Sequence, residues 1–194
     1  TFLVALGTII SAYGIMAANT WMQHPVGYQR VGGMYSVANW SAIVFNTELL
    51  VRWGHMVLAA YLSAGFVIVS VSAYYLYHQR HVLFARRCFK FMWASFLVII
   101  PLQLIMGDMN GETVLATQPL KTAAMEGIWD TQRGAPFLPF AIIDQKNQRN
   151  SFAIKIPHGA ALINTHQWDG QLLGLKTVPP QDQPHVAIVF YAFR

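Results

Sequence analysis

Charge is what this sequence has least of. Only 11% of its 194 residues are Asp, Glu, Lys or Arg, against about 25% in an average soluble domain. A water-soluble globule clothes its surface in charge, so the deficit points away from one. At 55% hydrophobic residues the chain is too apolar for intrinsic disorder. Cysteine is almost missing: Cys88 stands alone, which excludes an intrachain disulfide and a cysteine-built metal centre. Although Arg86, Arg87 and Lys90 flank it, it reads as an inert thiol. No Walker loop, GxSxG elbow or GxGxxG fingerprint occurs, and the histidines lack zinc-site spacing. The net charge of +5 invites a nucleic-acid reading. The basic residues, however, gather in one short cluster rather than a stripe, so no nucleic-acid partner is expected.

What the chain does have is long apolar runs, and a bilayer crossing needs about 20 such residues. Residues 1–22 carry no charge, and residues 53–77 contain no Asp, Glu, Lys or Arg. Residues 89–107 are broken only by Lys90 near the start and Pro101 near the end, where a proline is expected to kink or end a helix. A fourth span is expected to begin at 186. The expected fold class is therefore an all-α integral membrane protein with three transmembrane helices, the start of a fourth, and loops over 23–52, 78–88 and 108–185. The chain starts and stops inside apolar runs, so it reads as an internal piece of a longer membrane protein. Its opening run lacks the basic region of a signal peptide. Arg80, Arg86, Arg87 and Lys90 outnumber Arg30 and Arg52, so 78–88 is expected on the cytoplasmic side. That places 23–52 and 108–185 outside, which in a bacterium is the periplasm.

The 108–185 loop has a different chemistry. It holds seven of the eight acidic residues. A helix is expected over 117–129, with Pro119 in the first turn, where a missing N–H costs nothing. A hairpin-like pair follows: 140–143, a polar 144–150, then 151–156. There Phe152, Ile154 and Ile156 alternate with Ala153 and Lys155, the period of a half-buried strand. So long and so patterned a loop is uncommon unless it is functional.

Four places could carry chemistry. His55 lies within the first turns of the second span, and ionisable groups in membrane helices are candidate functional sites. At about 100° per residue, His55, Ala59 and Ser63 lie within about 80° of one another, with Gly54, Ala60, Ala64 and Gly65 nearby. An imidazole above small residues suits an axial haem ligand, because a flat macrocycle must lie against the helix; helix–helix packing would use the same small residues. Arg52, one turn outward, suits a haem propionate or simple snorkelling to headgroups. Lys121 and Glu126 are five residues apart, about 140° around a helix. They are thus poorly placed to satisfy each other, and each needs a separate partner: a ligand's polar ends, or water. Asp108 marks the exit of the third span and reads as a turn residue or a weaker site candidate. His24, in a loop, is not expected to bind metal.

In order, the pieces resemble subunit I of cytochrome bd-type quinol oxidases. Asn19-Thr-Trp-Met-Gln-His-Pro-Val-Gly27 is similar to the family's ANxWMQxPVG segment, with His24 at a variable position. Phe45-Asn46 and the helix of His55 resemble its fifth helix, and Gly107-Asp108-x-x-Gly111 the exit of its sixth. Gln118-Pro-Leu-Lys-Thr-Ala-Ala-Met-Glu126 with Trp129 resembles the start of its quinol-binding loop, Phe152-Ala-Ile-Lys-Ile-Pro157 a later part, and Tyr191-Ala-Phe-Arg194 the entry to its seventh helix. The wording around His24 and the short loop look like the cyanide-insensitive branch.

The resemblance implies a quinol:oxygen oxidoreductase of the bacterial cytoplasmic membrane. It makes His55 an axial ligand of a low-spin haem b, with Arg194 beside that haem and its other ligand a methionine past Arg194. Lys121 and Glu126 join the quinol site, with Glu126 as candidate proton acceptor and Asp108 nearby. It also implies a second haem b and a haem d, or a third haem b, bound outside these residues. Ubiquinol or menaquinol is the implied substrate, and a subunit II, a possible small accessory subunit and membrane lipid are the implied partners. A related haem-bearing electron relay without quinol oxidation remains the alternative, and a haem-free channel or transporter fragment a third reading.

Overall fold

The computed structural model describes residues 1–194, the side chain of Thr47 excepted. The chain divides into two units, Thr1–Asn110 and Gly111–Arg194.

The first unit is built on long helices: α1 (Phe2–Gln23), α3 (Thr47–Tyr77) and α4 (Val82–Thr117), with a short α2 (Trp40–Val44) before α3. At 1.5 Å per residue the three long ones measure about 33, 46 and 54 Å, against a hydrocarbon core of about 30 Å. All three are long and apolar enough to cross a membrane. Their apolar side chains mostly face outward, with none of the most apolar stretch of α1 buried. Helices hydrophobic all round look like this when lipid or other helices are meant to cover them.

The boundaries differ from the expected ones in three places. First, α3 begins six residues before the apolar run, because Asn46 caps it: its Oδ1 accepts the Leu49 N–H at 2.6 Å, and an asparagine there fixes a helix start. Second, the basic loop shrinks to a turn at 78–81, where Gln79 and His81 take positive φ. Arg86, Arg87 and Lys90 therefore stand on the opening turns of α4. Third, Pro101 does not end α4, which runs on to Thr117. The proline removes one N–H, that which would bond the Leu97 carbonyl, and the apolar register resumes beyond it. Asp108 consequently lies inside a helix, not in a turn. The 23–52 segment also holds a hairpin that periodicity did not announce: β1 (Tyr28–Val31) and β2 (Met34–Val37) pair antiparallel. Gly32 and Gly33, both at positive φ, supply the two-residue turn that matches strand twist.

Glycine sets how closely α3 and α4 approach. Gly54 and Gly65 are eleven residues apart and so about 20° from each other around α3. A Cβ at Gly65 would stand 2.6 Å from Phe96 Cε1 and 2.7 Å from Met92 Cε, and one at Gly54 would collide with Met106 Cε. These two small residues serve helix packing. Ala60 and Ala64 instead line an apolar cavity of about 410 Å³ with Ala5 and Ala12 of α1.

The second unit packs α5 (Pro119–Glu126), α6 (Gly159–Thr165) and α7 (Val186–Ala192) around a hairpin of β4 (Phe137–Asp144) and β5 (Arg149–Ile156). The short strands β3 (Gln132–Arg133) and β6 (Gln171–Leu172) pair beside it. Its core includes Ala123, Ala124, Ile128, Trp129, Leu172 and Val186, with a second cluster of Leu138, Ala141 and Phe190. Pro119 takes the first turn of α5, and the hairpin turns through the polar 145–148 stretch. The buried face of β5 is the opposite of the expected one. Phe152, Ile154 and Ile156 are 82%, 60% and 50% exposed, whereas Ala153 packs on the Phe190 cluster. Alternation marks an apolar face, but a face is buried only where something packs on it. Here the small Ala141 and Ala153 admit the Phe190 ring.

Candidate functional site

In the first unit the site grows from the opening turns of α3. One nitrogen of His55, Nε2, lies 3.2 Å from the Gln103 side-chain amide on α4. The other, Nδ1, is buried with no hydrogen-bond partner. Gly107, also on α4, leaves the space that the ring occupies: a Cβ there would stand 3.0 Å from His55 Cε1. An imidazole with one nitrogen held by a neighbour and the other left over is arranged as metal-ligating histidines are, since the partner of the first nitrogen orients the second. One turn earlier, Arg52 is only 6% exposed, and its Nε and Nη2 are buried without a hydrogen bond. Its near neighbour is Glu48, at 3.8 Å, and the Glu48 carboxylate is already bound by His24 Nδ1 at 2.7 Å. Buried cationic donors without hydrogen-bond acceptors are expensive, so Arg52 has capacity for an anion besides Glu48.

The residues expected to hold a haem have the donor chemistry for one. His55 offers an unsatisfied ring nitrogen and Arg52 offers unsatisfied donors of the charge that a propionate needs. Among the described residues no three His, Cys, Asp or Glu gather to bind a metal ion; a porphyrin, by contrast, brings its own equatorial ligands and asks the protein for axial ones. The small-residue face expected beneath the macrocycle is divided. Gly54 and Gly65 face α4, whereas Ser63 is exposed, its hydroxyl bonded back to the Ala59 carbonyl.

In the second unit the site is the end of α5. The helix closes in a Schellman arrangement: Gly127 takes φ +67°, its N–H donates to the Ala124 carbonyl, and the Ile128 N–H donates to that of Ala123 at 2.8 Å. Glycine suits that left-handed position because it has no Cβ. Glu126, the last helical residue, is 6% exposed. Its Oε2 accepts from Arg194 Nη2 at 2.8 Å and its Oε1 from Asn164 Nδ2 at 3.4 Å. Arg194 is fixed in turn: its Nε donates to the Leu138 carbonyl at 2.7 Å, and its guanidinium lies over the Phe137 and Phe190 rings at 4.5 and 4.9 Å. Lys121 is half-buried five residues before Glu126 on the same helix. A cavity of about 160 Å³ opens beside the turn, bordered by Gly127, Trp129, Asp130, Asn150 and Lys155.

The structure thus gives Glu126 the separate partner that helical spacing demanded and supplies it from Arg194, a residue expected beside the haem. Sequence reading missed this pairing because 68 positions separate the two. It also missed Asn164, Asn150 and Gln103, polar residues of a kind that looks unremarkable in any loop or helix end. For Gln103 a signal existed, a polar amide in the middle of an apolar run. His24, dismissed as a metal ligand, pairs with Glu48.

Comparison with known proteins gives a consistent result. The family model described as cytochrome bd terminal oxidase subunit I matches residues 1–194. The chain is 32% identical over 203 residues to cytochrome bd ubiquinol oxidase subunit 1 of Bacillus subtilis, covering 100% of this chain and 43% of that protein. It is 36% identical over 191 residues to cytochrome bd-II ubiquinol oxidase subunit 1 of Escherichia coli, covering 96% and 37%. The solved bd oxidase of Geobacillus thermodenitrificans shares the fold at a TM-score of 0.86 and 23% identity, over 98% of this chain and 44% of that one. The chain therefore spans less than half the length of these relatives.

Proposed function

The chain belongs to the cytochrome bd terminal oxidase subunit I family, and from that premise we propose that it forms the quinol-oxidising part of a membrane-bound quinol:oxygen oxidoreductase, a terminal respiratory oxidase. In this reading α1, α3 and α4 cross the bacterial cytoplasmic membrane and the second unit is the extracytoplasmic quinol-binding loop. Ubiquinol or menaquinol is the substrate. The remainder of the subunit, a subunit II and a possible small accessory subunit complete the enzyme, and the oxygen-reducing haem site lies outside these residues.

His55 and Arg52 would hold a low-spin haem b, His55 at the iron and Arg52 at a propionate. A haem held there supplies a one-electron carrier. The chain's own work is done around the quinol. Oxidation of a quinol to a quinone releases two electrons and two protons, so the hydroxyl protons need acceptors. Glu126 is the acceptor for one and solvent on the outer side for the other: a carboxylate oxygen within hydrogen-bond reach of the hydroxyl takes the proton as the O–H bond breaks. Arg194 and Asn164 orient that carboxylate, and the Lys121 ammonium steadies a quinol oxygen. Asp108 is a secondary candidate near the start of this segment. The resemblance also gives Arg194 to the haem.

The observation that carries this reading is a carboxylate buried at a helix end and held on both oxygens. Asp144 in the β4–β5 turn is also held on both oxygens, but only Glu126 of the two is buried. The test uses the full-length oxidase. Glu126→Gln and Lys121→Met are expected to lower quinol-driven oxygen uptake at least tenfold while uptake from an artificial electron donor stays normal. His55→Ala is expected to abolish the low-spin haem spectrum. Normal quinol-driven uptake in both loop variants would refute the quinol site, and an unchanged haem spectrum would refute the ligand. A protein that keeps the haem but oxidises no quinol in any form is the electron relay instead.

A further inference from the structure

Taking Glu126 as the proton acceptor as above, we infer that Asn150, carried by the β4–β5 hairpin, is a positioning residue for quinol oxidation. Asn150 sits near the turn of the hairpin, paired in register with Ile143. Its side chain reaches across to the segment immediately after Glu126. Nδ2 donates to the Gly127 carbonyl at 2.7 Å, and Oδ1 accepts from the Trp129 indole N–H at 2.7 Å. The two partners leave no doubt about the amide's orientation, because a carbonyl can only accept and an indole N–H can only donate.

These two short bonds span residues 127–129 like a clasp. Gly127 is the pivot on which α5 ends, and the direction of the Glu126 side chain depends on where that pivot is held. Within α5 the Schellman bonds fix the peptide N–H groups of 127 and 128, but nothing in the helix fixes the outward-turned Gly127 carbonyl. Asn150 does so from 23 residues further along the chain. Trp129 is buried in the core at 5% exposure, so the clasp ties the pivot to a core side chain. Asn150 also borders the cavity beside this turn, and its amide bonds the residues that follow Glu126, so it acts through geometry. No other common side chain does both jobs from this distance. Aspartate would set a carboxylate against the Gly127 carbonyl, serine is too short, and glutamine is one methylene too long. A misplacement of about 1 Å at a reacting group can cost about a hundredfold in rate, so losing the clasp has a clear expected consequence.

The experiment is a variant series in the full-length oxidase: Asn150→Ala, Asn150→Asp, Trp129→Phe, Glu126→Gln, and the double Asn150→Ala/Glu126→Gln. Each is assayed with a short-chain quinol for kcat and KM, with an artificial donor that bypasses the quinol site, and by the low-spin haem spectrum. Asn150→Ala and Asn150→Asp are expected to lower kcat for quinol at least tenfold with KM within about threefold, leaving artificial-donor uptake and the spectrum unchanged. Trp129→Phe, which keeps the ring but removes the N–H, is expected to lower kcat severalfold. In the Glu126→Gln background, adding Asn150→Ala is expected to change the residual quinol uptake less than twofold, because the group being positioned is already gone.

A loss in Asn150→Ala that appears equally with the artificial donor marks a merely structural role and overturns the inference. So does a loss that multiplies independently with that of Glu126→Gln. If Glu126→Gln is impaired and Asn150→Ala is normal, the positioning role fails alone. If Glu126→Gln is itself normal, the proton-acceptor reading fails, and with it the basis for this one.

Discussion

Removing Arg194 should expose how much the end of α5 depends on a charge at the far end of the loop. The Arg194 and Glu126 side chains are 14% and 8% exposed, so the pair is buried enough that solvent screening is weak. Deleting one partner of a buried ion pair costs about 3–5 kcal/mol, because it strands the other charge. Arg194→Met keeps apolar bulk between the Phe137 and Phe190 rings, so the stranded Glu126 carboxylate dominates the loss. Arg194→Met/Glu126→Gln removes both charges and leaves a lost bond to the Leu138 carbonyl, worth about 1 kcal/mol. The expected difference between single and double variant is therefore about 2–4 kcal/mol in favour of the double. Hydrogen exchange of the 119–128 segment in the full-length protein reads this directly, through the Gly127 and Ile128 amides that close the helix. Exchange by local opening should accelerate at least a hundredfold in the single variant, since about 1.4 kcal/mol is a factor of ten, and fall back substantially in the double. Equal exchange in the two variants would mean that Glu126 does not feel the loss of Arg194, and the electrostatic account of this site would be wrong.

Other expectations follow from the same geometry. Gly65→Ala should destabilise α3–α4 packing by about 1–3 kcal/mol, the range for overpacked cores, because its Cβ meets the ring of Phe96. Gly54→Ala should cost less, since it meets the flexible end of Met106; thermal inactivation of the two variants ranks them. Asn46→Ala should cost about 0.5–2 kcal/mol by removing the α3 cap, read as faster exchange of the Leu49 amide. In the β4–β5 turn, hydrogen bonds from the Asn147 side chain and backbone, with help from Arg149, hold the Asp144 carboxyl below its ordinary value of 3.8. That contribution is complete above pH 3.8 and fades as pH falls through the lower folded value. Asn147 amide protection should therefore drop in strong acid, and Asp144→Asn should remove the pH dependence.

How much of this was legible beforehand differs from element to element. The three long helices were, because a continuous apolar run has few other ways to satisfy its backbone. Their ends were not: Asn46 and the tolerance of α4 for Pro101 depend on local hydrogen bonds that composition does not reveal. The hairpin was visible in its polar turn, but not which face it buries, since Ala141 and Ala153 look weaker than Phe152 and Ile154 until the Phe190 ring arrives from α7. His55, Arg52, Lys121 and Glu126 were named from placement and resemblance. The atoms that make them plausible as a site, the bare Nδ1 of His55, the unsatisfied Arg52 donors and the Arg194 guanidinium on Glu126, are tertiary facts. No periodicity encodes a partner 68 residues away.

That long-range clasp has a consequence for how the loop can evolve. Residues 126 and 194 are the two feet of an arch, and the free energy of joining the feet of a flexible arch depends only on the logarithm of its length. Doubling the span adds about 0.6 kcal/mol of closure entropy, small beside the about 3–5 kcal/mol at stake in the ion pair. The entropy of extra chain between the two feet is thus a small term beside the pair that joins them. Closure entropy alone therefore sets almost no limit on how long the span between the two feet can be.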